Sequence, residues 1–148
     1  MLKFNKKKPI VFNTVQMYRW DRLEYLKILL NDKNNNDIIF GFKLVRGAYM
    51  EKERLTAKSL NIKSPICESK LETDVNFDSG LDFVFENLNR ISLVCGSHNE
   101  ESVIKIMNIM KEMNIDNNDQ KIWFGQLYGM SDNITYNLAD KGYNAFKI

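Results

Sequence analysis

Cations, a glycine and an aromatic ring crowd together in Gly41-Phe-Lys-Leu-Val-Arg-Gly-Ala-Tyr49. Lysine and arginine are natural partners for a carboxylate, a phosphate or an electron-rich ring. A glycine lets a ligand come close to the backbone. The run before Arg46-Gly47-Ala48-Tyr49 is apolar enough for a buried strand. The two-residue period of a strand then puts Lys43 and Val45 on one face, Leu44 and Arg46 on the other. A lysine in so apolar a strand needs a partner, because an unpaired buried charge costs about several kcal/mol. That partner is either a bound anion or an acidic residue elsewhere in the fold.

Other candidates are more isolated. His98 is the only histidine and stands between Ser97 and Asn99, just after an apolar run. Structural and functional roles are equally open to it, and no Ser or Cys nucleophile arrangement accompanies it. Cys95, three residues earlier, reads as the buried, inert interior of a strand. Gln16 follows the first apolar run and either hydrogen-bonds the polar edge of a ring or serves the fold. Glu51-Lys52-Glu53-Arg54 reads as a solvated helix face, and Glu100-Glu101 as the acidic first turn of a helix.

The elements that must position these residues alternate along the chain. Strands are expected at Pro9–Thr14, Ile38–Val45, Ile91–Cys95, Lys121–Phe124 and from Asn144 to the last residue. Between them, helical spacing marks Met17–Leu30, Glu51–Ser59, Thr73–Asn87 with Thr73 or Asp74 as its cap, Glu100–Met113 and Ser131–Asp140. Gly142 suits the residue that ends the last helix. Such alternation predicts an α/β fold with about five parallel strands. No G-x-G-x-x-G follows a strand, which argues against a dinucleotide-binding Rossmann unit, and no P-loop is present. Polar and glycine-bearing clusters recur after the strands: Asn13–Gln16, Arg46–Ala48, Gly96–Asn99 and Gly125–Gly129. A (β/α)8 barrel gathers all such clusters on one face, whereas a doubly wound sheet uses fewer. The pattern therefore predicts one domain, residues 1–148, forming part of a barrel, since a whole barrel takes about 250 residues.

Composition narrows the classes further. The 148 residues are 44% hydrophobic and 27% charged, as in ordinary globular domains. A net charge of +2 gives no reason to expect a nucleic-acid partner, and Lys6-Lys7-Lys8 reads as a solvated edge. Cys67 and Cys95 with a single histidine do not make a structural zinc site, and no metal is expected. Reduced thiols fit a reducing compartment. No apolar run spans a bilayer.

Four stretches resemble, in order and spacing, those of the proline dehydrogenase family: Val11-Phe-Asn-Thr-Val-Gln-Met-Tyr18, Lys43-Leu-Val-Arg-Gly-Ala-Tyr-Met-Glu-Lys-Glu-Arg54, Gly96-Ser-His-Asn-Glu-Glu-Ser102 and Phe124-Gly-Gln-Leu-Tyr-Gly-Met-Ser-Asp-Asn133. The resemblance implies a (β/α)8 barrel that holds FAD at its strand C-termini. It implies oxidation of L-proline to 1-pyrroline-5-carboxylate, with electrons passed to a quinone. By the same resemblance Gln16, Arg46, Gly47, Ala48, Ser97 and His98 contact the flavin, with Arg46 the charge near its ring or phosphates. Tyr49 lines the flavin site. Lys43 stands where many members carry an active-site arginine; it keeps the charge and loses the bidentate fork.

The resemblance further implies that the family's first strands, with an active-site aspartate and a substrate-facing lysine, precede Met1. A Tyr-bearing strand end and a paired-arginine helix that clamps the substrate carboxylate would follow Ile148. The chain is thus expected to act as part of a larger enzyme, or with the remaining barrel segments on another chain or in a homo-oligomer. The alternatives are a non-catalytic remnant of the same barrel and a small α/β binding module. The implied location is cytoplasmic or, in a eukaryote, the mitochondrial matrix side, with peripheral contact to the inner membrane left open.

Overall fold

In the computed structural model, residues 4–148 are described; Met1, Leu2 and Lys3, the first residues of the expected domain, lie outside them. Strands and helices alternate: β1 (Phe12–Gln16), α1 (Arg22–Asn31), β2 (Phe40–Val45), α2 (Met50–Ser59), α3 (Lys70–Glu86), β3 (Ile91–Gly96), α4 (Glu100–Glu112), β4 (Ile122–Gln126), α5 (Asp132–Asp140) and β5 (Ala145–Lys147). The strands form one parallel sheet in the order β1-β2-β3-β4-β5. Spatial order equal to chain order is the wall of a (β/α)8 barrel, as the sequence predicts, and lacks the reversal of a doubly wound sheet. No described helix is long and apolar enough to cross a membrane.

Register fixes which side chains share a face. Val15, Leu44, Cys95 and Phe124 lie in one row across the sheet, all buried beneath the helices. With Phe42 and Leu93 they meet Phe77, Leu81 and Val84 of α3, Ile106 and Met110 of α4, and Leu26 of α1. Burying each such side chain contributes about 1.5–3 kcal/mol, so this layer holds the chain together. The row one residue on, Gln16, Val45, Gly96, Gly125 and Phe146, points to the helix-free face at the strand C-termini.

Several element ends depart from expectation for identifiable reasons. β1 starts at Phe12, not Pro9, because the buried Asn5 side chain takes up the segment before it. Asn5 Oδ1 accepts from the Ile10 and Val11 amides, each at 2.9 Å, and Asn5 Nδ2 donates to the Val11 carbonyl at 2.7 Å. α1 starts at Arg22, not Met17: the Met17 and Tyr18 amides extend the pairing onto the Val45 and Arg46 carbonyls, at 2.8 and 2.7 Å. α3 starts three residues before Thr73. Ser69 is its cap, accepting from the Glu72 amide at 3.0 Å, while Glu72 Oε2 accepts from the Glu68 amide at 2.7 Å. That pair is close to a capping box.

Candidate functional site

At the strand C-termini a cleft of about 610 Å³ gathers Gln16, Lys43, Arg46, Gly47, Ala48, Ser97 and His98, with Thr14, Lys70 and the apolar Val45, Leu127 and Ile148 beside them. Of the residues expected at the site, only Tyr49 lies elsewhere. It is 60% exposed and borders a neighbouring cleft of about 730 Å³ with Tyr18 and Lys52.

Lys43 reaches the cleft from the helix-free face. Its stem passes over Gly96, where an added Cβ would sit 3.1 Å from Lys43 Cε and 2.8 Å from Val45 Cγ1. Among the described residues its ammonium has no hydrogen-bond or ion-pair partner, so the internal salt bridge open to it from the sequence is not formed. The Gln16 side chain, on the adjacent strand, is likewise without a partner among them. Two polar groups thus face the cleft with their hydrogen-bonding capacity unengaged.

Arg46, in the same cleft, is fully engaged. Nε donates to Asp74 Oδ1 at 2.7 Å, Nη1 to Ser97 Oγ at 3.2 Å and Nη2 to Ser102 Oγ at 3.0 Å. The guanidinium carbon lies 4.5 Å from the centre of the Phe77 ring. Asp74 also pairs with Lys70 at 2.6 Å; the bonds from Lys70 and then Arg46 hold its carboxyl below the usual range against the opposing effect of burial. Arg46 thus lines the cleft while each of its three guanidinium nitrogens is engaged by the helix layer and the turn after β3. Asp74 is not the cap of α3 but the partner of this arginine.

Gly47 also serves a purpose other than ligand approach. Its φ of 141° strains any residue with a side chain, and an added Cβ would meet the Tyr18 ring at 2.4 Å. The Tyr18 hydroxyl donates to Glu53, and burial followed by that bond pushes the phenol up to about 12. Glu53 accepts from Arg19 at 2.9 Å, Arg19 pairs with Asp21 at 3.1 Å, and Asp21 with Arg22 at 2.7 Å. Burial opposes the Asp21 charge, yet the Arg22 and Arg19 hydrogen bonds prevail and hold it at about 2. The expectation of a wholly solvated face at Glu51–Arg54 is corrected here. Glu53 anchors the turn after β1, and Arg54 Nη2 donates to the Cys67 carbonyl at 3.0 Å.

Ser97 and His98 form the turn after β3. The buried Ser97 hydroxyl faces Arg46 and accepts from the Asn99 amide at 3.1 Å; the Ser97 carbonyl accepts from Gln126 Nε2 at 3.2 Å. Gln126, fully buried, is itself fixed by Thr135 Oγ1 at 2.9 Å. His98 Nδ1 meets Ser131 Oγ at 2.9 Å, with Ser131 in the left-handed region at φ 52°. His98 Nε2 has no partner among the described residues. Cys95 lies beneath this turn, fully buried, its thiol pushed up to about 12 by desolvation and so inert. Asp74, Ser102, Gln126, Thr135 and Ser131 escape sequence reasoning as site residues. Gln126, Ser131 and Ser102 fall within the family-like stretches, whereas Thr135 gave no signal and Asp74 only that of a cap.

Comparison with known proteins follows the same lines. Residues 1–148 match the family described as proline dehydrogenase. The chain is 35% identical to "Proline dehydrogenase 1, mitochondrial" of Dictyostelium discoideum, over 99% of this chain and 27% of that protein. It is 36% identical to "Hydroxyproline dehydrogenase" of Xenopus laevis, over 99% of this chain and 32% of that protein. The crystal structure of proline utilization A from Bdellovibrio bacteriovorus, inactivated by N-propargylglycine, superposes with a TM-score of 0.87 at 27% identity, covering 96% of this chain and 15% of that one. The chain therefore spans 27% and 32% of the length of these two curated relatives.

Proposed function

Because the chain belongs to the proline dehydrogenase family, we propose that it forms the flavin-facing wall of an enzyme that oxidises L-proline to 1-pyrroline-5-carboxylate and passes the electrons to a quinone. In this reading the chain acts within a longer protein or beside complementary barrel segments, at a membrane surface from which quinone is reached. The observation that carries it is the Lys43 ammonium, without a partner among the described residues, which shares one cleft with Gln16 and His98.

The donor set suits FAD. An ammonium, an amide able to donate and accept, and a histidine whose Nε2 has no partner among the described residues converge beside the apolar Val45, Leu127 and Ile148. Polar groups set in an otherwise apolar cleft are what a planar cofactor requires. When bound, FAD supplies the two-electron oxidation of the substrate carbon–nitrogen bond. The chain's own residues orient it. Lys43 sets a positive charge against its electron-rich ring, and Gln16 engages a polar ring edge. The backbone of Arg46-Gly47-Ala48 and the Ser97-His98 turn, which line the same cleft, would complete the set that holds it. Lysine offers a point charge where an arginine would offer a fork, so Lys43 contributes field more than geometry.

Flavin binding to the purified chain, read by quenching of FAD fluorescence, tests the site. Lys43→Met is expected to weaken binding about tenfold, the loss of one charge-assisted contact. Equal binding by both forms would overturn the assignment. The reaction is tested by proline-dependent quinone reduction after the remaining barrel segments are supplied. Flavin binding without such reduction would reduce the chain to a non-catalytic remnant of the barrel.

A further inference from the structure

Two cations sit three residues apart in Lys43-Leu-Val-Arg46 and line one cleft; among the described residues Lys43 has no partner, whereas Arg46 has three. We propose that Arg46 is a positioning residue: it sets the Ser97-His98 turn through its side-chain bonds rather than lending its charge to the bound cofactor. The inference rests on the flavin reading only for what the turn then contacts.

One guanidinium joins four element ends. It extends from the residue after β2, pairs with Asp74 in α3, and binds Ser97 after β3 and Ser102 in the first turn of α4. Its plane covers Phe77, so the charge is stacked as well as bonded. The Ser97 hydroxyl, accepting from both Arg46 and the Asn99 amide, has its direction fixed, and the turn that carries His98 is fixed with it. Ser131 then holds the ring at Nδ1. The His98 orientation is set from two sides, and one of them is Arg46. Arginine is required because three separated acceptors need a planar fork; lysine, with the same charge, has a single nitrogen.

The test uses the lone histidine, whose ring gives the chain's one set of imidazole resonances. Arg46→Lys keeps the charge and removes the fork. Ser102→Ala keeps the arginine whole and removes one acceptor. Both are expected to move or broaden the His98 ring signal in the flavin-free chain, with circular dichroism unchanged. Both are expected to weaken FAD binding, Arg46→Lys by about tenfold as two hydrogen bonds are lost and Ser102→Ala by less. Unchanged His98 signals in both variants would overturn the proposal. So would full FAD binding by Arg46→Lys alongside its loss in Arg46→Met, since charge alone would then suffice. The ring signal is read without flavin, so a wild-type chain that binds no FAD would refute the flavin reading and leave the positioning role to stand or fall on the signal. If Arg46→Lys fails to fold, Ser102→Ala alone decides.

Discussion

Phe42 and Lys43 are neighbours in the chain and face opposite surroundings. Phe42 is fully buried between sheet and helices, stacked on Phe40 with ring centres 5.3 Å apart. Lys43 stands half-buried on the helix-free face with no partner among the described residues. The contrast extends along both faces. The helix side is apolar and closed, with Leu44, Leu93, Cys95 and Phe124 all at 0% exposure. The helix-free side near the strand C-termini carries Thr14, Gln16 and Lys43 beside Gly96 and Gly125. One face meets the needs of folding within this chain. The other offers polar groups that a structural role leaves unused, which is the physical mark of a surface shaped for something else.

Substitutions can break that contrast, and the largest effect belongs to the closed face. Phe42→Ala should lose about 3–5 kcal/mol of stability, the cost of an aromatic-sized cavity, seen as a lower urea midpoint. A comparable result for Lys43→Met would erase the distinction. Gly47→Ala comes next, because it strains the backbone and drives a methyl into Tyr18; about 1–3 kcal/mol is expected from the backbone alone. Its loss should appear in thermal melting of the flavin-free chain, which would separate it from a purely ligand-contacting glycine.

Acid tests the belt behind the cleft. Asp21 ionises at about 2 in the fold against an ordinary 3.8, so its contribution is complete above the higher value and drains away as pH falls through the lower. Asp21→Asn should flatten that part of the stability–pH curve; an unaltered slope would mean that Arg19 and Arg22 do not hold it. The smallest effect is on the open face. Lys43→Met should shift folding stability by no more than about 0.5 kcal/mol, or raise it slightly, even as flavin binding falls.

The sequence made the alternation of elements legible because buried strands are short apolar runs and helices show their own period. Strand period alone separated Lys43 and Val45 from Leu44 and Arg46, and the structure keeps that division. Illegible were the partners. Arg46 finds Asp74 28 residues away and Ser102 56 away, and His98 finds Ser131 at 33. Nothing local marks such pairs, because the fold selects one aspartate among many. The early start of α3 was readable in the Ser69 to Glu72 spacing of a capping box, which competes with the capping side chains of Thr73 and Asp74. Gly47 carried the opposite lesson. A glycine at a strand end suggests room for a ligand, and here the missing side chain also makes way for Tyr18.

Strand order has a consequence for how such a wall is made. Each strand after the first lies beside the one synthesised just before it. As the chain emerges from the ribosome, every new strand finds its template already standing, and no segment must thread back between two others. Contacts close over one βα unit at a time, which keeps the loop entropy of each addition small. A sheet wound in both directions would have to wait for its centre. This one grows like a row of staves, and at β1 and β5, which have no outer neighbour among the described residues, the row is shaped to accept another.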